Sequence, residues 1–369
     1  MLESFKYFIK RYKLFIFIAL AINIPLILIS TIRTNYEIIS KGDTVEFTSV
    51  VDIENEYSEA GSFSTIYVMD IERSTPLMNL IAKYDNEMEI SSIEETESIL
   101  TDSESYFAGK LMYASSISEA IISAYSLAMS ENSNIKLDYS FDGYYITYKN
   151  KESEFNIGDN ILSVKRALKD EIGNYLYSSD GNLIYSDEYK IGSSEYLEYV
   201  NDPKINDIWY IQESNKINSD YTVNKLDSYK TVTLKKGDSF GLYPISKINL
   251  EKTFPKIKFN TNSIGGPSGG LLQTLSIYNK LTDFDYTRGL NIAGTGTIKS
   301  STYQVGVIGG IKEKIPTAID NDIDIFFCPK GNYSEAYEKY VNIKNHDKMK
   351  LVEVDTLMDA INYLKGVSL

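Results

Sequence analysis

The sequence predicts a multi-domain α+β protein behind an N-terminal transmembrane helix. Three observations lead there. At 369 residues the chain is too long for one ordinary core and should divide into domains of roughly 100–150 residues. Leu14 to Ile32 is an apolar run with no charge. Beyond it, short strand-like pieces such as Thr44–Thr48 and Thr65–Met69 are interleaved with helical patterns near Pro76–Tyr84 and Ser103–Met129. Charged residues at 24% and hydrophobics at 43% are globular values, which exclude a disordered chain. A net charge of −14, with no basic stripe outside the N-terminus, excludes a nucleic-acid-binding protein, because phosphate contacts need clustered Lys and Arg.

As a helix, the apolar run is about long enough to cross a hydrocarbon core of roughly 30 Å. Lys6, Lys10, Arg11 and Lys13 precede it, while Arg33 is soon followed by Glu37. Residues 1–13 then form a cytoplasmic basic tail, 14–32 a single-pass signal anchor in the cell membrane, and everything after lies outside. A cleaved signal peptide is the rival, since Ala19-Leu20-Ala21 has a small-x-small form. That triplet sits within the run, and Asn23-Ile24-Pro25 is followed by further uncharged residues to Ile32, which favours the uncleaved anchor.

Residues 33–134 read as a small extracytoplasmic α/β region. Its second helical pattern sets Leu111, Ile117, Ala120, Ile121, Ala124 and Leu127 mostly on one face. The acidic run Glu94-Glu95-Thr96-Glu97 is expected to be a solvated face. From 135 to 246 the pattern becomes short strands separated by turns: Tyr144–Tyr148, Ile161–Val164, Lys230–Leu234.

The residues with chemical potential lie further on. Gly265-Gly266-Pro267-Ser268-Gly269-Gly270 leads into an apolar helical run, Leu271–Tyr278, which puts Ser268 at a helix N-terminus. Free N–H groups and the positive dipole end can stabilise an oxyanion there, and glycines let a substrate backbone approach. Alone, such a turn is more often structural or phosphate-binding. GxxxxGK[ST] is absent, so no ATPase module is visible. The sole cysteine, Cys328, excludes an intramolecular disulfide and a paired-cysteine zinc site. The sole histidine, His346, lies in the polar run Asn345–Lys348 and reads as a surface residue. No metal or cofactor is expected.

Downstream of the serine come Ile292-Ala293-Gly294-Thr295-Gly296-Thr297-Ile298, then Gly309-Gly310-Ile311-Lys312-Glu313-Lys314, then an alternating strand, Ile323–Lys330, that ends at Pro329. In order and spacing these resemble the proteolytic domain of Lon protease, with its PSAG serine, TG turn, GGxxxK lysine and strand ending in Pro. The resemblance is specific from about Ile264 to Leu364. With the anchor and the preceding β-region, the chain is similar to membrane-anchored PDZ–Lon peptidases. It implies a compact α+β proteolytic domain over 247–369, closed by a Val352–Asp355 strand and a Leu357–Leu364 helix, and a tendency to assemble as homo-oligomeric rings. The Ile157–Val164 segment resembles the middle of a PDZ domain, with Gly143–Ile146 at the carboxylate-binding position and Gly173–Gly192 as an inserted hairpin. A peptide-capturing module and a plain spacer both remain open for that region.

By the same resemblance Ser268 is the nucleophile and Lys314, 46 residues on, the general base. Thr295 orients the lysine, and the N–H groups of Gly266 and Ser268 serve as oxyanion donors, with Gly269 in place of the family's alanine. A lysine base must be desolvated to titrate near neutrality; Ile308, Ile311 and Ile315 are candidate neighbours. Lys312 reads as a solvated helix-start residue. Pro316, close behind the base, and the loop Lys299–Gln304 depart from the family pattern. The implied activity is ATP-independent endopeptidase action on exported or membrane-proximal proteins. A catalytically inactive scaffold at the cell surface is the alternative.

Overall fold

The computed structural model describes residues 2–47, 51–54, 56–85, 87–93, 100–192, 200, 202–260 and 265–367. The acidic run Glu94–Glu97 lies outside the described residues. The chain is a mixture of helices and sheets, as predicted, and forms two compact units. One comprises Met1–Gly42 with Tyr67–Glu95, the other Asp43–Ile66 with Thr96–Leu369.

Helix α1 (Leu2–Thr31) opens the first unit, with a non-helical residue at Tyr12. From Lys10 to Thr31 it is long and apolar enough to cross a membrane, and none of that stretch is buried. Its polar interruptions are satisfied within the helix: Asn23 Nδ2 donates to Ala19 O (2.7 Å), and Ser30 Oγ and Thr31 Oγ1 donate to Ile27 O (3.0 and 2.7 Å). A bilayer core, which offers no water, demands that. Next come β1 (Tyr36–Glu46), β2 (Val51–Ile53), β3 (Ser62–Ile71), α2 (Pro76–Ala82) and β4 (Met88–Ser92). Both β1 and β3 pass from one unit into the other. In the first unit β4 pairs antiparallel with β1, and Thr75 caps α2 with Pro76 at its first position.

Helix α3 (Asp102–Glu131) starts at a capping box of Thr101 and Glu104. It buries all the predicted face residues except Leu127, which is partly buried. Its N-terminal half supplies Ala108, Leu111 and Ala114 to the core of an antiparallel sheet made by β5 (Tyr139–Lys149), β6 (Asn160–Lys165), β7 (Tyr189–Lys190), β8 (Ile208–Ile217), β9 (Val223–Thr233) and β10 (Phe240–Ile248). The order is β10-β5-β6-β8-β9, with β7 against β6, and Trp209 packs edge-on against Phe155 and Phe240.

Of the two PDZ-like details expected here, the carboxylate-binding position differs from expectation and the hairpin does not. Gly143–Ile146 lies within β5, and Tyr145 pairs with Tyr243 of β10 on one side and Asn160 of β6 on the other. A peptide therefore has no open edge there to add to as a strand. Within Gly173–Gly192 the expected hairpin is present, with Tyr177 bridged antiparallel to Leu183 across the Ser178–Asn182 turn, and it forms part of a three-cornered ring: Leu168 N–H donates to Ile184 O, Ile184 N–H to Leu176 O, and Leu176 N–H to Leu168 O. An eight-residue repeat of turn openers, Asp170, Ser178 and Ser186, builds it; the first two lead into Gly173-Asn174 and Gly181-Asn182.

The remainder contains β11 (Ile257–Phe259), α4 (Gly270–Leu281), β12 (Asn291–Gly294), β13 (Thr297–Lys299), β14 (Gln304–Gly306), α5 (Ile311–Asp320), β15 (Ile325–Pro329), α6 (Lys330–Val341), β16 (Lys350–Val354) and α7 (Leu357–Gly366). In a parallel array β12 lies between β3 and β15, with β16 outside β15. Alternation along the strands fills two cores. Ile292, Ile325 and Phe327 join α4, α7 and the second half of α3, while Ala293, Phe326 and Cys328 join α5 and α6. β11 pairs with β2, 200 residues upstream, and β13 and β14 form a hairpin.

Candidate active site

Ser268 lies in the glycine turn that opens α4, and helix α3 holds that turn. Gly266, at φ 85°, donates its N–H to Gly109 O (2.9 Å), and Ser116 Oγ donates to Pro267 O (3.2 Å). The Ser268 carbonyl accepts from Gly296 N–H (2.7 Å) and Thr295 Oγ1 (3.0 Å). Glycine is obligatory at the first residue of α4: a Cβ on Gly270 would meet the Ile298 backbone nitrogen at 2.9 Å. The serine is thus pinned from both sides while its own N–H has no acceptor among the described residues.

Lys314 sits in the first turn of α5, behind Gly310 in the left-handed conformation (φ 67°) that starts the helix. Only 2% of it is exposed. Its Nζ is 2.9 Å from Ser268 Oγ and 3.0 Å from Thr295 Oγ1. Thr295 follows the end of β12, and its N–H donates to Phe327 O of β15 (3.0 Å), so the parallel sheet fixes it. The bond pattern assigns one orientation. A threonine hydroxyl has one proton, and Thr295 gives it to the Ser268 carbonyl. Its oxygen can then only accept from Nζ–H, which leaves the lone pair of a neutral amine free to face Ser268 Oγ.

Burial pushes the Lys314 ammonium down from its ordinary value to about 7. The desolvation is not offset, because the amine's partners are hydroxyls and no carboxylate pairs with it among the described residues. Its place at a helix N-terminus, where the dipole opposes a cation, acts in the same direction.

Residues 256–364 match the Lon protease (S16) C-terminal proteolytic domain. No curated protein matches the chain. A Lon-type proteolytic domain implies serine peptidase activity, and Ser268, Thr295 and Lys314 all fall within the matched segment. The segment excludes α1, α3, β3 and the antiparallel sheet, although α3 braces the serine turn of the Lon-type domain and β3 completes its parallel array.

The departures from the Lon pattern resolve into geometry. Pro316 lies inside α5, yet Lys314 Nζ keeps its contact with Ser268 Oγ. Lys312 points outward and pairs with Glu335 (3.1 Å). Ile311 and Ile315 are buried in the core beneath α5, with Ile308 at its margin. Gly269 precedes α4; an added Cβ would lie 3.0 Å from Thr65 Oγ1. The loop Lys299–Gln304 is tied to α3 through Ser300 N–H and Glu119 Oε2 (2.6 Å). His346 lies against Tyr340 and bonds Ile343 O, and buried Cys328 has its thiol pushed up to about 12 by burial. Among the described residues, neither bonds to Lys314 Nζ or Ser268 Oγ.

The Gly266 N–H, expected as an oxyanion donor, is occupied by Gly109 O, so Gly266 shapes the turn instead. Sequence reasoning also missed Gly109 and Ser116, which support the serine turn from about 150 residues upstream, and Thr65, which crowds the place of a Cβ on Gly269. Backbone acceptors and small hydroxyl side chains give no local signal of such a role.

Proposed function

We propose that the protein is a membrane-anchored endopeptidase in which Ser268 is the nucleophile and Lys314 its general base. The observation that carries this is a buried lysine amine, titrating at about 7, 2.9 Å from a serine hydroxyl at a helix N-terminus. Neutral Lys314 takes the Ser268 proton as Oγ attacks a peptide carbonyl. The Ser268 N–H donates to the oxyanion that forms. The lysine ammonium then returns the proton to the leaving amine, and water, activated by the same amine, releases the acyl group. Thr295 holds the amine in line through both protonation changes.

Each step requires no nucleotide, and the sequence contains no GxxxxGK[ST], which supports ATP-independent action. Helix α1 acts as an uncleaved anchor with the basic tail inside the cell, so that substrates are exported or membrane-proximal proteins. The test uses the full chain in detergent with an unfolded protein substrate. Ser268→Ala and Lys314→Ala should each lower kcat/KM by at least about 10³-fold. Cleavage at the wild-type rate by either variant would reject the dyad and favour a scaffold.

A further inference from the structure

A groove of about 1010 Å³ beside the serine turn is lined by the matched segment together with α3 and the antiparallel sheet. Its floor includes Pro267, next to Ser268, and Thr297, next to the Gly296 that bonds the Ser268 carbonyl. Ser116 and Glu119 of α3 line one side, and Tyr139, Phe141 and Tyr243 of β5 and β10 line another. The loop Lys299–Gln304, which departs from the Lon pattern, contributes Ser300 and Ser301, and Glu119 pins it in place.

Three physical features define what fits. The volume lies at the upper end of the range for small-ligand sites, room enough for several residues of an extended chain. Its sheet wall is aromatic and partly solvent-exposed: Tyr139 is 47% exposed, and the Phe141 and Tyr144 rings pack at 5.1 Å. Such rings supply large apolar contact area at little entropic cost. The Glu119 carboxylate lies beside this wall; burial and that charge push the Tyr144 hydroxyl up to about 12. The lining carries two carboxylates, Glu119 and Asp238, against one cation, Lys299, so an acidic side chain would meet an apolar wall and an excess of like charge.

We infer that this groove is a specificity site for an extended polypeptide, selecting a large apolar or aromatic side chain near the scissile bond and rejecting an acidic one. The inference rests on the Ser268–Lys314 reading and adds to it a selecting wall from outside the matched segment. Folded proteins bury such side chains, so the wall directs the enzyme to unfolded segments.

The test is a panel of fluorogenic peptides, identical except that Phe or Asp is placed in turn at each position flanking the cleaved bond, assayed with the full chain in detergent. Phe at one or two positions should raise kcat/KM at least about tenfold over Asp there. Tyr139→Ser and Tyr243→Ser should shrink that ratio, mainly through KM, while a covalent serine probe still labels Ser268 at the wild-type rate. An unchanged ratio with labelling intact overturns the groove alone. A wild-type chain that the probe does not label, cleaving no faster than Ser268→Ala, overturns the dyad and the groove together.

Discussion

Among the buried lysines of one compact unit, Lys280 and Lys314 have opposite surroundings. Lys280, 5% exposed, lies in the last turn of α4 and pairs with Glu56 at 2.6 Å. Lys314, 2% exposed, lies in the first turn of α5, and among the described residues its amine has only the hydroxyls of Ser268 and Thr295 for partners. The dipole of α4 favours a cation where Lys280 sits, and that of α5 opposes one where Lys314 sits. Partner and helix end together suit Lys280 to an ion pair and Lys314 to the proposed role of base. Burial alone decides neither.

Charge removal should break the symmetry most strongly. Lys314 has its pKa lowered to about 7, against an unfolded value near 10.4, so between those limits the unfolded chain binds more protons and stability rises with pH. At or below pH 7 the burial costs about 4–5 kcal/mol at about 1.36 kcal/mol per unit. Lys314→Met should therefore abolish cleavage while raising stability by roughly 2–3 kcal/mol, less than the full amount because two hydroxyls lose a partner. Lys280→Met should leave cleavage within a few-fold and cost about 1–2 kcal/mol, since half-exposed Glu56 turns to water. Urea unfolding at pH 7.5 and peptidase assays read both; a destabilised Lys314→Met would refute the neutral-amine assignment.

The same titration sets the pH profile. The base must be neutral, so kcat/KM should rise about tenfold per unit below pH 7 and level off above it. Stability should keep climbing past the plateau toward pH 10, a separation that a histidine base would not give. Lys314→Met should remove the slope in stability. Next in size is Thr295→Val, which keeps the shape and removes the oxygen that accepts from Nζ. Misaiming the amine should lower kcat about 10- to 100-fold. Because an acceptor favours the charged amine, its loss should also move the acid limb to lower pH; a limb that moves upward would contradict the assigned bond direction.

Much of this site is legible in the sequence because it is local. The glycine turn before Leu271, the Ala293–Gly296 turn and the Gly309–Lys314 helix start each declare a backbone shape, and the resemblance of their order to Lon implies the pairing of Ser268 with Lys314. Strands and helices with clear periodicity were also readable, α3 within two residues at each end. What stayed hidden is long-range. The strand-like piece Thr65–Met69 is readable, yet it does not show that the strand begins at Ser62 or that Ser62–Thr65 pairs with Asn291–Gly294, and nothing in Val51–Ile53 points to Ile257–Phe259. Helix α6, polar along most of its length, was not predicted, since few of its residues are buried.

The smallest effect tests one of these hidden contacts. Where Lon-type turns carry alanine, this chain has Gly269, and its backbone, at φ −91° and ψ −2°, would accept any residue. The obstacle is on the outside: a Cβ would lie 3.0 Å from Thr65 Oγ1 and 3.2 Å from Gln273 Nε2. Thr65 is not free to retreat, because it pairs with Gly294 at the end of β12, one residue before Thr295. Gly269→Ala gains about 0.4–1 kcal/mol from a less flexible unfolded chain and loses a similar amount to crowding, so its stability should change by less than about 1 kcal/mol. Its kcat should fall a few-fold as the push reaches Thr295. Thr65→Ala opens the space, and in the double variant the two changes should not add: kcat should return toward the Thr65→Ala value. Strict additivity in kcat and in urea midpoint would mean that Thr65 is not what keeps glycine beside the nucleophile.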